Sequence, residues 1–305
     1  MKKQKILIAE DDVALQFLLV NVMENEGYEV TAVQDGLRGL EALDQDTFDL
    51  VISDINMPFM NGFEFLGKVK EKFPKMHRII MTAYNVDDYM SLVQEHNIGN
   101  IVTKGLPFNT SELILVCEQL LSRKIFGLKQ YMEPDTTIVC DMIRTPDQID
   151  KLSKKLTDIY GQEKNARKLN TVLLELLTNA LFYGAKNENA ENKADWDKDF
   201  ILPLHQAIKV CHGRDSLKTG FSILDHGGKL DQKTILYWLD RQLTPGTNGL
   251  PQGIFDSHGR GLFIARQYVD RLIVNVERGV QCECIILNYS DEPPTTYKPV
   301  LINEI

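Results

Sequence analysis

Residues 49–62 read DLVISDINMPFMNG, and this stretch decides how the first half of the chain folds. An apolar run at 50–52 leads to an acidic residue, Asp54, and a Met-Pro turn then precedes Gly62, which opens a helix. In open α/β sheets, ligands bind and chemistry takes place beyond the carboxyl ends of the strands. The stretch therefore predicts a buried parallel strand with a functional aspartate at its end.

The same alternation of strand and helix repeats through the first 122 residues, with short loops between the elements. Five such repeats with buried strands predict a doubly wound, five-stranded parallel sheet. The predicted strands are 5–9, 28–33, 49–53, 78–82 and 100–103, and the predicted helices are 13–26, 36–44, 62–72, 86–96 and 109–122.

Carboxylates follow two of these strands. Glu10 and Asp11 come directly after the first strand, and Asp54 ends the third. Because parallel strands end at the same edge of the sheet, these side chains are expected to converge and to repel one another. A divalent cation relieves that repulsion, and Mg²⁺ suits an all-oxygen site that also takes a phosphate. The neighbouring Asp12 is predicted to cap the first helix.

The fourth and fifth strands end in Thr82 and Lys104, a hydroxyl and a cation that suit the oxygens of a transferring phosphoryl group. With these sites in this order, the first half resembles the receiver domain of bacterial response regulators, which has a flavodoxin-like fold. The resemblance implies that Asp54 accepts a phosphoryl group as a nucleophile. It also implies that Glu10, Asp11, Asp54 and the Asn56 carbonyl hold Mg²⁺, and that Thr82 and Lys104 contact the phosphoryl oxygens.

Two positions depart from the receiver pattern. Ile101 stands three residues before the lysine, where receivers usually carry Tyr or Phe. The lysine is usually followed directly by proline, whereas Gly105 and Leu106 intervene here. The usual rotamer switch of the aromatic residue is therefore not expected, but every residue that the phosphorylation chemistry needs is present.

The second half reads differently. A strand at 137–142, a helix from 146 and an apolar helix at 166–183 precede strands and helices that run mostly as hairpins, which predicts an α+β domain with a mixed sheet. The predicted organisation is a receiver at 1–122, a linker at 123–135, a second domain at 136–290 and a tail at 291–305. The tail is unassigned, and its prolines suggest an extended strap or a disordered end.

Three segments of the second half carry chemistry. Glu175 and Asn179 lie four residues apart and so share one helical face. Asp225 closes a strand and precedes a glycine pair. A Gly-Arg-Gly-Leu run then opens a helix, where backbone N–H groups can bind phosphates. The glycine pair is Gly227 and Gly228, and the run is Gly259, Arg260, Gly261 and Leu262.

In this order the segments resemble the GHKL (HATPase_c) superfamily, and most closely its anti-sigma-factor serine/threonine kinases. The resemblance implies an ATP-dependent protein kinase whose output Asp54 phosphorylation controls. Glu175 would be the general base, Asn179 would hold Mg²⁺, and Asp225 would bind adenine. The two glycines after Asp225 would complete the adenine site, and the glycine run from Gly259 to Leu262 would bind the phosphates of ATP.

One departure leaves alternatives open. The superfamily pattern DxGxG has its second glycine at the position that Lys229 occupies. A degenerate ATPase that works as a phosphorylation-gated binding module is therefore a second hypothesis, and a histidine phosphorelay component is a third. No histidine lies in a helical hairpin ahead of residue 166, so autophosphorylation on histidine is not expected.

Composition and charge also limit the kinds of function that the protein can have. The 305 residues carry a net charge of −9 without a basic stripe, which disfavours nucleic-acid binding. No apolar run reaches the length of a membrane span. A cytoplasmic protein with reduced thiols is expected, and Cys282 and Cys284 are expected to pack on one face of a strand. The expected partners are a cognate histidine kinase or phosphotransfer protein and an antagonist or sigma-regulatory protein as substrate. A homodimer through the receiver face after Thr82 is also predicted.

Overall fold

A computed structural model describes residues 3–105, 108–161, 165–187, 196–246, 249–253, 256 and 259–305. Its contacts divide the chain into two compact units. Unit 1 comprises Met1–Ile125 and Pro294–Leu301, and unit 2 comprises Phe126–Pro293 and Ile302–Ile305.

Unit 1 is the α/β fold that the sequence predicts. Its parallel strands lie in the order β2-β1-β3-β4-β5, which is the doubly wound, flavodoxin-like arrangement. The strands are β1 (Lys5–Ala9), β2 (Glu29–Val33), β3 (Leu50–Asp54), β4 (His77–Thr82) and β5 (Asn100–Thr103). The helices are α1 (Val13–Asn25), α2 (Gly36–Gln45), α3 (Gly62–Lys72), α4 (Met90–Glu95), preceded by a 3₁₀ turn at Val86–Tyr89, and α5 (Thr110–Ser122).

Local signals explain why these elements begin where they do. Every residue of β3 is buried, as expected for a central parallel strand that helices cover on both faces. The Asp12 carboxylate accepts hydrogen bonds from the backbone N–H groups of Ala14 and Leu15, so the predicted N-cap of α1 is confirmed. Asp35 and Asn61 cap α2 and α3 in the same way. The caps place the start of each helix beside the carboxyl edge of the sheet.

The C-terminal segment adds a strand to unit 1. β11 (Val300–Glu304) begins by pairing antiparallel with β5, with Val300 opposite Ile101 and Leu301 opposite Asn100. The Thr103 hydroxyl lies 2.8 Å from that of Thr295. This part of the tail is therefore an ordered, extended segment, and it occupies the edge of β5. The predicted homodimer through that face would have to accommodate it.

Unit 2 is an α/β unit in which five neighbouring strands pair antiparallel in the order β9-β10-β8-β7-β6, with β11 beside β9. The strands are β6 (Val139–Ile143), β7 (Ile208–Arg214), β8 (Lys218–Asp225), β9 (Arg271–Glu277) and β10 (Gln281–Tyr289). The helices are α6 (Asp147–Tyr160), α7 (Ala166–Thr178), α8 (Gln232–Arg241) and α9 (Arg260–Tyr268), and a π-helical turn at Asn179–Ala185 extends α7. Short 3₁₀ turns lie at Leu128–Tyr131 and Leu204–Gln206.

A buried carboxylate, Glu283, organises the part of unit 2 that follows α5. It accepts hydrogen bonds from the backbone N–H of Gly127 at 2.9 Å and from Asn275 Nδ2 at 3.1 Å, and from the Ser222 hydroxyl. Asn303 of β11 donates in turn to Asn275 Oδ1 at 2.8 Å. Because a buried carboxylate is costly without partners, this network holds residue 127 and the end of β11 on the sheet.

The expectation of reduced thiols is wrong for one pair. Cys140 and Cys211 form a disulfide between β6 and β7. The two residues are 71 positions apart in sequence but directly opposite each other in the antiparallel register. Cys117, Cys282 and Cys284 are free thiols.

Among the helices that the structure describes, none combines the length and the apolar character needed to cross a bilayer.

Candidate functional site

The carboxyl edge of the unit 1 sheet gathers the predicted acidic residues. Oxygen atoms of Glu10, Asp11 and Asp54 all lie within 4.8 Å of one another. Glu10 and Asp54 are buried, whereas Asp11 is exposed. Lys104 Nζ lies 2.8 Å from Glu10 Oε2 and 2.7 Å from Asp54 Oδ1. Three carboxylates and one ammonium group, drawn from three strands, therefore share one pocket edge.

Burial and charge oppose each other here. Burial raises the pKa of the Glu10 carboxyl, and the hydrogen bond and charge of Lys104 only partly offset that effect. Burial works to lower the pKa of Lys104, but Asp54 and Glu10 outweigh it and the pKa is raised overall. Lys104 is thus a fixed cation. The all-oxygen set of Glu10, Asp11 and Asp54 fits a hard divalent cation such as Mg²⁺, which would stabilise the ionised carboxylates.

Thr82 and Asn56 complete the edge. Thr82 ends β4, is 1% exposed, and its hydroxyl accepts a hydrogen bond from Tyr84 N at 3.0 Å. The backbone N–H of Lys104 donates to the Thr82 carbonyl at 2.6 Å, which ties the ends of β4 and β5 together. Asn56 N donates to Asp54 Oδ2 at 3.2 Å. The second Asp54 oxygen is therefore oriented by the turn that follows β3.

Gly62 is required by the turn beyond Asp54. A Cβ atom at this position would lie 2.1 Å from the Asp54 carbonyl oxygen, so no other residue fits without moving the backbone of the aspartate. The arrangement can perform one kind of chemistry directly. The carboxylate of Asp54 can attack a phosphoryl group whose oxygens face Lys104 and a bound cation, the charge stabilisation that phosphoryl transfer needs.

Unit 2 contains a separate cavity of about 270 Å³. Five of the predicted nucleotide-site residues line it, namely Asn179, Asp225, Gly259, Gly261 and Leu262. They come from three segments that span more than 80 residues of sequence, and the fold brings them together. Four others lie outside the lining: Glu175, Gly227, Gly228 and Arg260. Ser257 and His258, part of the same motif, fall outside the described residues.

Glu175 nevertheless lies at the edge of the cavity. It stands one helical turn before Asn179, where α7 passes into its π-helical turn. A Cβ atom on Gly261 would lie 2.8 Å from Asn179 Nδ2 and 3.1 Å from Glu175 Oε2. Both side chains therefore reach the first turn of α9, and the glycine leaves room for their approach. π-helical turns of this kind occur frequently at functional sites.

Asp225 also lines the cavity, and the backbone of the following turn holds its carboxylate in place. Its Oδ1 accepts a hydrogen bond from Gly227 N at 2.9 Å. Burial raises the pKa of Asp225 to about 6. A Cβ on Gly227 would lie 1.9 Å from the Gly184 carbonyl oxygen, so two glycines from separate segments pack backbone to backbone. The carboxylate is thereby fixed against the π-helical turn.

The second glycine of this turn has a structural role. Gly228 has φ +56, and a Cβ there would lie 2.1 Å from Val280 N in the hairpin between β9 and β10. Its carbonyl accepts a hydrogen bond from Gly279 N at 2.8 Å. The glycine that stands one place early relative to the DxGxG pattern is therefore needed where the hairpin closes over the turn, and Lys229 lines the cavity in its place.

Several lining residues were not among the predicted site residues. Trp238 of α8 packs so closely on Gly259 that a Cβ there would lie 2.1 Å from its ring. Gly184 contacts Asp225, and Cys282 and Cys284 of β10 also line the cavity. A tryptophan on an amphipathic helix is also typical of an ordinary hydrophobic core. The sequence around Trp238 therefore does not identify it as a cavity residue. Cys282 and Cys284 did carry a signal, their spacing of two on one strand face.

Comparison with known proteins identifies the family of unit 1. The model of the response regulator receiver domain matches residues 6–118. Sporulation initiation phosphotransferase F of Bacillus subtilis is 33% identical over 113 residues, which cover 37% of this chain and 90% of that protein. Response regulator protein FleR of Pseudomonas aeruginosa is 29% identical over 170 residues, covering 56% of this chain and 32% of its own length. A CheY-like receiver protein from Methanospirillum hungatei, a solved structure, is 28% identical with a TM-score of 0.38, covering 40% of this chain and 97% of that one.

The matched residues 6–118 include the acidic cluster, Thr82 and Lys104. The chain spans about a third of FleR but nearly all of the sporulation phosphotransferase. The chain therefore belongs to the response regulators of two-component systems, with its receiver domain at residues 6–118.

Proposed function

We propose that unit 2 is an adenine-nucleotide-binding output domain that acts as a serine/threonine protein kinase of the anti-sigma-factor type, under the control of Asp54 phosphorylation. One observation carries the proposal. A single cavity is lined by Asn179, Asp225 and the glycines at the start of α9. These residues come from the three motifs that resemble the GHKL superfamily. Their position around one cavity is a property of the fold and is independent of that resemblance.

The chemistry of the lining suits a nucleotide. Asp225 is an acceptor for the exocyclic amino group of adenine, and the flanking lining is mostly apolar, as a flat base requires. Gly259 and Gly261 expose backbone N–H groups at the N-terminus of α9, where phosphates bind favourably. Asn179 offers a carbonyl oxygen to a Mg²⁺ ion that accompanies the phosphates.

The transfer step would use Glu175. Its carboxylate lies beside Asn179 at the start of α9 and could accept the proton of an incoming serine or threonine hydroxyl. A general base of this kind contributes about 10²–10⁴-fold to a rate. Positioning and neutralisation of the phosphate charges by Mg²⁺ and the helix N-terminus would supply most of the remainder. The substrate would be a regulatory protein that presents such a hydroxyl.

Calorimetry with Mg²⁺–ADP tests the nucleotide site. We expect saturable binding by the wild-type protein and at least about a hundredfold weaker binding by Asn179→Ala, since the variant lacks the proposed side-chain ligand of the Mg²⁺ that accompanies the phosphates. Asn165→Ala is the matched control, because Asn165 precedes the same helix at its far end and makes no capping hydrogen bond. Absence of heat from all three folded proteins would refute the kinase proposal.

One observation favours a second function. Lys229 lines the cavity where the superfamily pattern has glycine, and its positive charge acts on Asp225, working against the effect of burial on the pKa of that carboxyl. If the cavity does not bind nucleotide, unit 2 would instead be a phosphorylation-gated module that binds a sigma-regulatory protein. Lys229→Gly distinguishes the two, because restored ADP binding in that variant would identify the lysine as the block.

Nucleotide affinity is expected to fall at acidic pH. The pKa of Asp225 is raised to about 6 by burial. Below that pH the carboxyl is protonated, so the adenine amino group loses its charged acceptor and with it the stronger, charge-assisted hydrogen bond. Between pH 7 and pH 5 the ionised fraction, and with it the affinity for Mg²⁺–ADP, should fall about tenfold.

Asp225→Asn serves as the control for this pH series. An amide keeps an acceptor oxygen but does not titrate, so the variant should show only the pH dependence of ADP itself. Equal pH profiles for both proteins would mean that Asp225 does not contact the bound base.

A further inference from the structure

Two free thiols lie side by side in the wall of the unit 2 cavity. Cys282 and Cys284 are two residues apart on β10 and therefore point to the same face of the sheet. Their register partners on β8 are Asp225 and Ile223, which line the cavity as well. Both residues line the cavity, so the two thiols belong to one wall of the same space.

We propose that Cys282 and Cys284 form a two-thiol site for a soft, thiophilic centre, such as a trivalent arsenical, that bonds to both sulfurs and closes the cavity. Nothing in the proposed kinase chemistry uses these thiols. The site itself does not depend on nucleotide binding, and only its effect on ADP rests on the proposed function.

A ligand that bonds to both sulfurs suits the positions of Cys282 and Cys284 better than disulfide formation or attack by a single thiolate. Residues two apart in an extended strand lie about 6.7 Å apart at Cα, at the long end of the range for a disulfide, so direct oxidation to a disulfide is disfavoured. Both residues are free thiols. The neighbouring Cys284 thiol and burial raise the pKa of Cys282 well above its usual value, which slows attack on electrophiles that need a single thiolate.

Phenylarsine oxide reacts with neutral dithiols without any oxidant. The two S–H bonds and the arsenic–oxygen bond break, two As–S bonds form, and the oxygen leaves as water with both protons. The arsenic stays trivalent and the sulfurs stay at the thiol oxidation level. The phenyl ring would enter a cavity of about 270 Å³ whose lining includes Leu176, Leu262 and Trp238.

The position of the pair explains why occupation would exclude a nucleotide. Cys282 lies directly opposite Asp225 in the register of β10 and β8. A ligand across the two sulfurs would therefore sit beside the carboxylate proposed to bind adenine. The arsenical and ADP should compete.

Intact-protein mass spectrometry with phenylarsine oxide, without reductant, tests the site. We expect one equivalent to be captured by the 305-residue chain and released by a small dithiol. Cys284→Ser should weaken capture at least about a hundredfold, because the second As–S bond is intramolecular and gains the effective concentration of a linked site. Cys117→Ser, in the core of unit 1, should capture normally.

Further measurements test the two-thiol site separately from the proposed binding of ADP. A Cys140→Ser/Cys211→Ser variant must still capture one equivalent, which excludes the disulfide pair as the site. Capture that persists in Cys284→Ser, or no capture by the wild-type chain, would overturn the inference whether or not ADP binds. If the wild-type chain binds ADP, capture that leaves ADP affinity unchanged would overturn the placement of the ligand in the cavity. If ADP does not bind at all, the proposed function fails and the capture arms still decide the thiol site.

Discussion

Asp54→Asn is expected to abolish phosphorylation of the chain by a small phosphodonor such as acetyl phosphate. Asp54 lies 2.7 Å from Lys104 and within the acidic cluster of Glu10 and Asp11, so it is the carboxylate placed for attack on a phosphoryl group. An amide is not a nucleophile for this step. Intact mass should show one added phosphoryl group in the wild-type protein with Mg²⁺ and none in the variant.

Two controls sharpen that measurement. Asp44→Asn changes an exposed aspartate of the same unit that pairs with Lys72, and this variant should be phosphorylated normally. Chelation of Mg²⁺ should prevent phosphorylation of the wild-type protein, since the acidic cluster would then keep its repulsion and the phosphoryl oxygens would lack a cation. A stable phosphoryl group on Asp54→Asn would move the acceptor to another carboxylate, with Asp11 as the first candidate.

Gly227→Ala is expected to remove ADP binding from unit 2. The new methyl group would lie 1.9 Å from the Gly184 carbonyl oxygen, and backbone atoms on both sides leave no flexible side chain to move away. The turn that holds Asp225 must therefore separate from the π-helical turn. We expect at least about a hundredfold loss of ADP affinity and a loss of stability at the upper end of the 1–3 kcal/mol typical of overpacking.

The control for this variant is Gly279→Ala. Gly279 also has a positive φ, of +71, but a Cβ there meets no atom within 4 Å. It should therefore lose only the roughly 1–2 kcal/mol of a left-handed non-glycine residue and keep its nucleotide affinity. Thermal unfolding of both variants measures the stability change. Unchanged ADP affinity in a folded Gly227→Ala protein would show that the glycine contact does not position Asp225.

Much of unit 1 could be predicted because its signals are local. The apolar run before Asp54 indicates a buried strand, the capping aspartate at 12 indicates where a helix begins, and parallel strands always end at one edge. Those three facts are enough to predict that Glu10, Asp54 and Lys104 lie together. The role of Thr103 could not be predicted in this way, because its hydroxyl contacts Thr295, which lies 192 residues further along the chain.

Unit 2 was harder to predict. The segments around Asn179, Asp225 and Gly261 could be singled out because each combines a polar residue or glycine with an element boundary, and the fold brings all three to one cavity. Gly184 and Trp238 were not, since each contributes through one close contact with a distant backbone. Such contacts depend on how two segments pack, and no residue type or spacing within either segment reports that packing.

The amino-acid sequence is sufficient for the alternating elements of the receiver domain and for the acidic residues and the lysine at the carboxyl edge of its sheet. The register between strands that are far apart in the chain could not be predicted from the sequence. It pairs Cys140 with Cys211, sets Cys282 opposite Asp225 and lays Val300 on β5. A shift of one residue would turn each of these side chains to the other face of its sheet, and local propensities are nearly indifferent to such a shift. Register follows from the packing of whole faces, which is why these three features emerge only when the chain is folded.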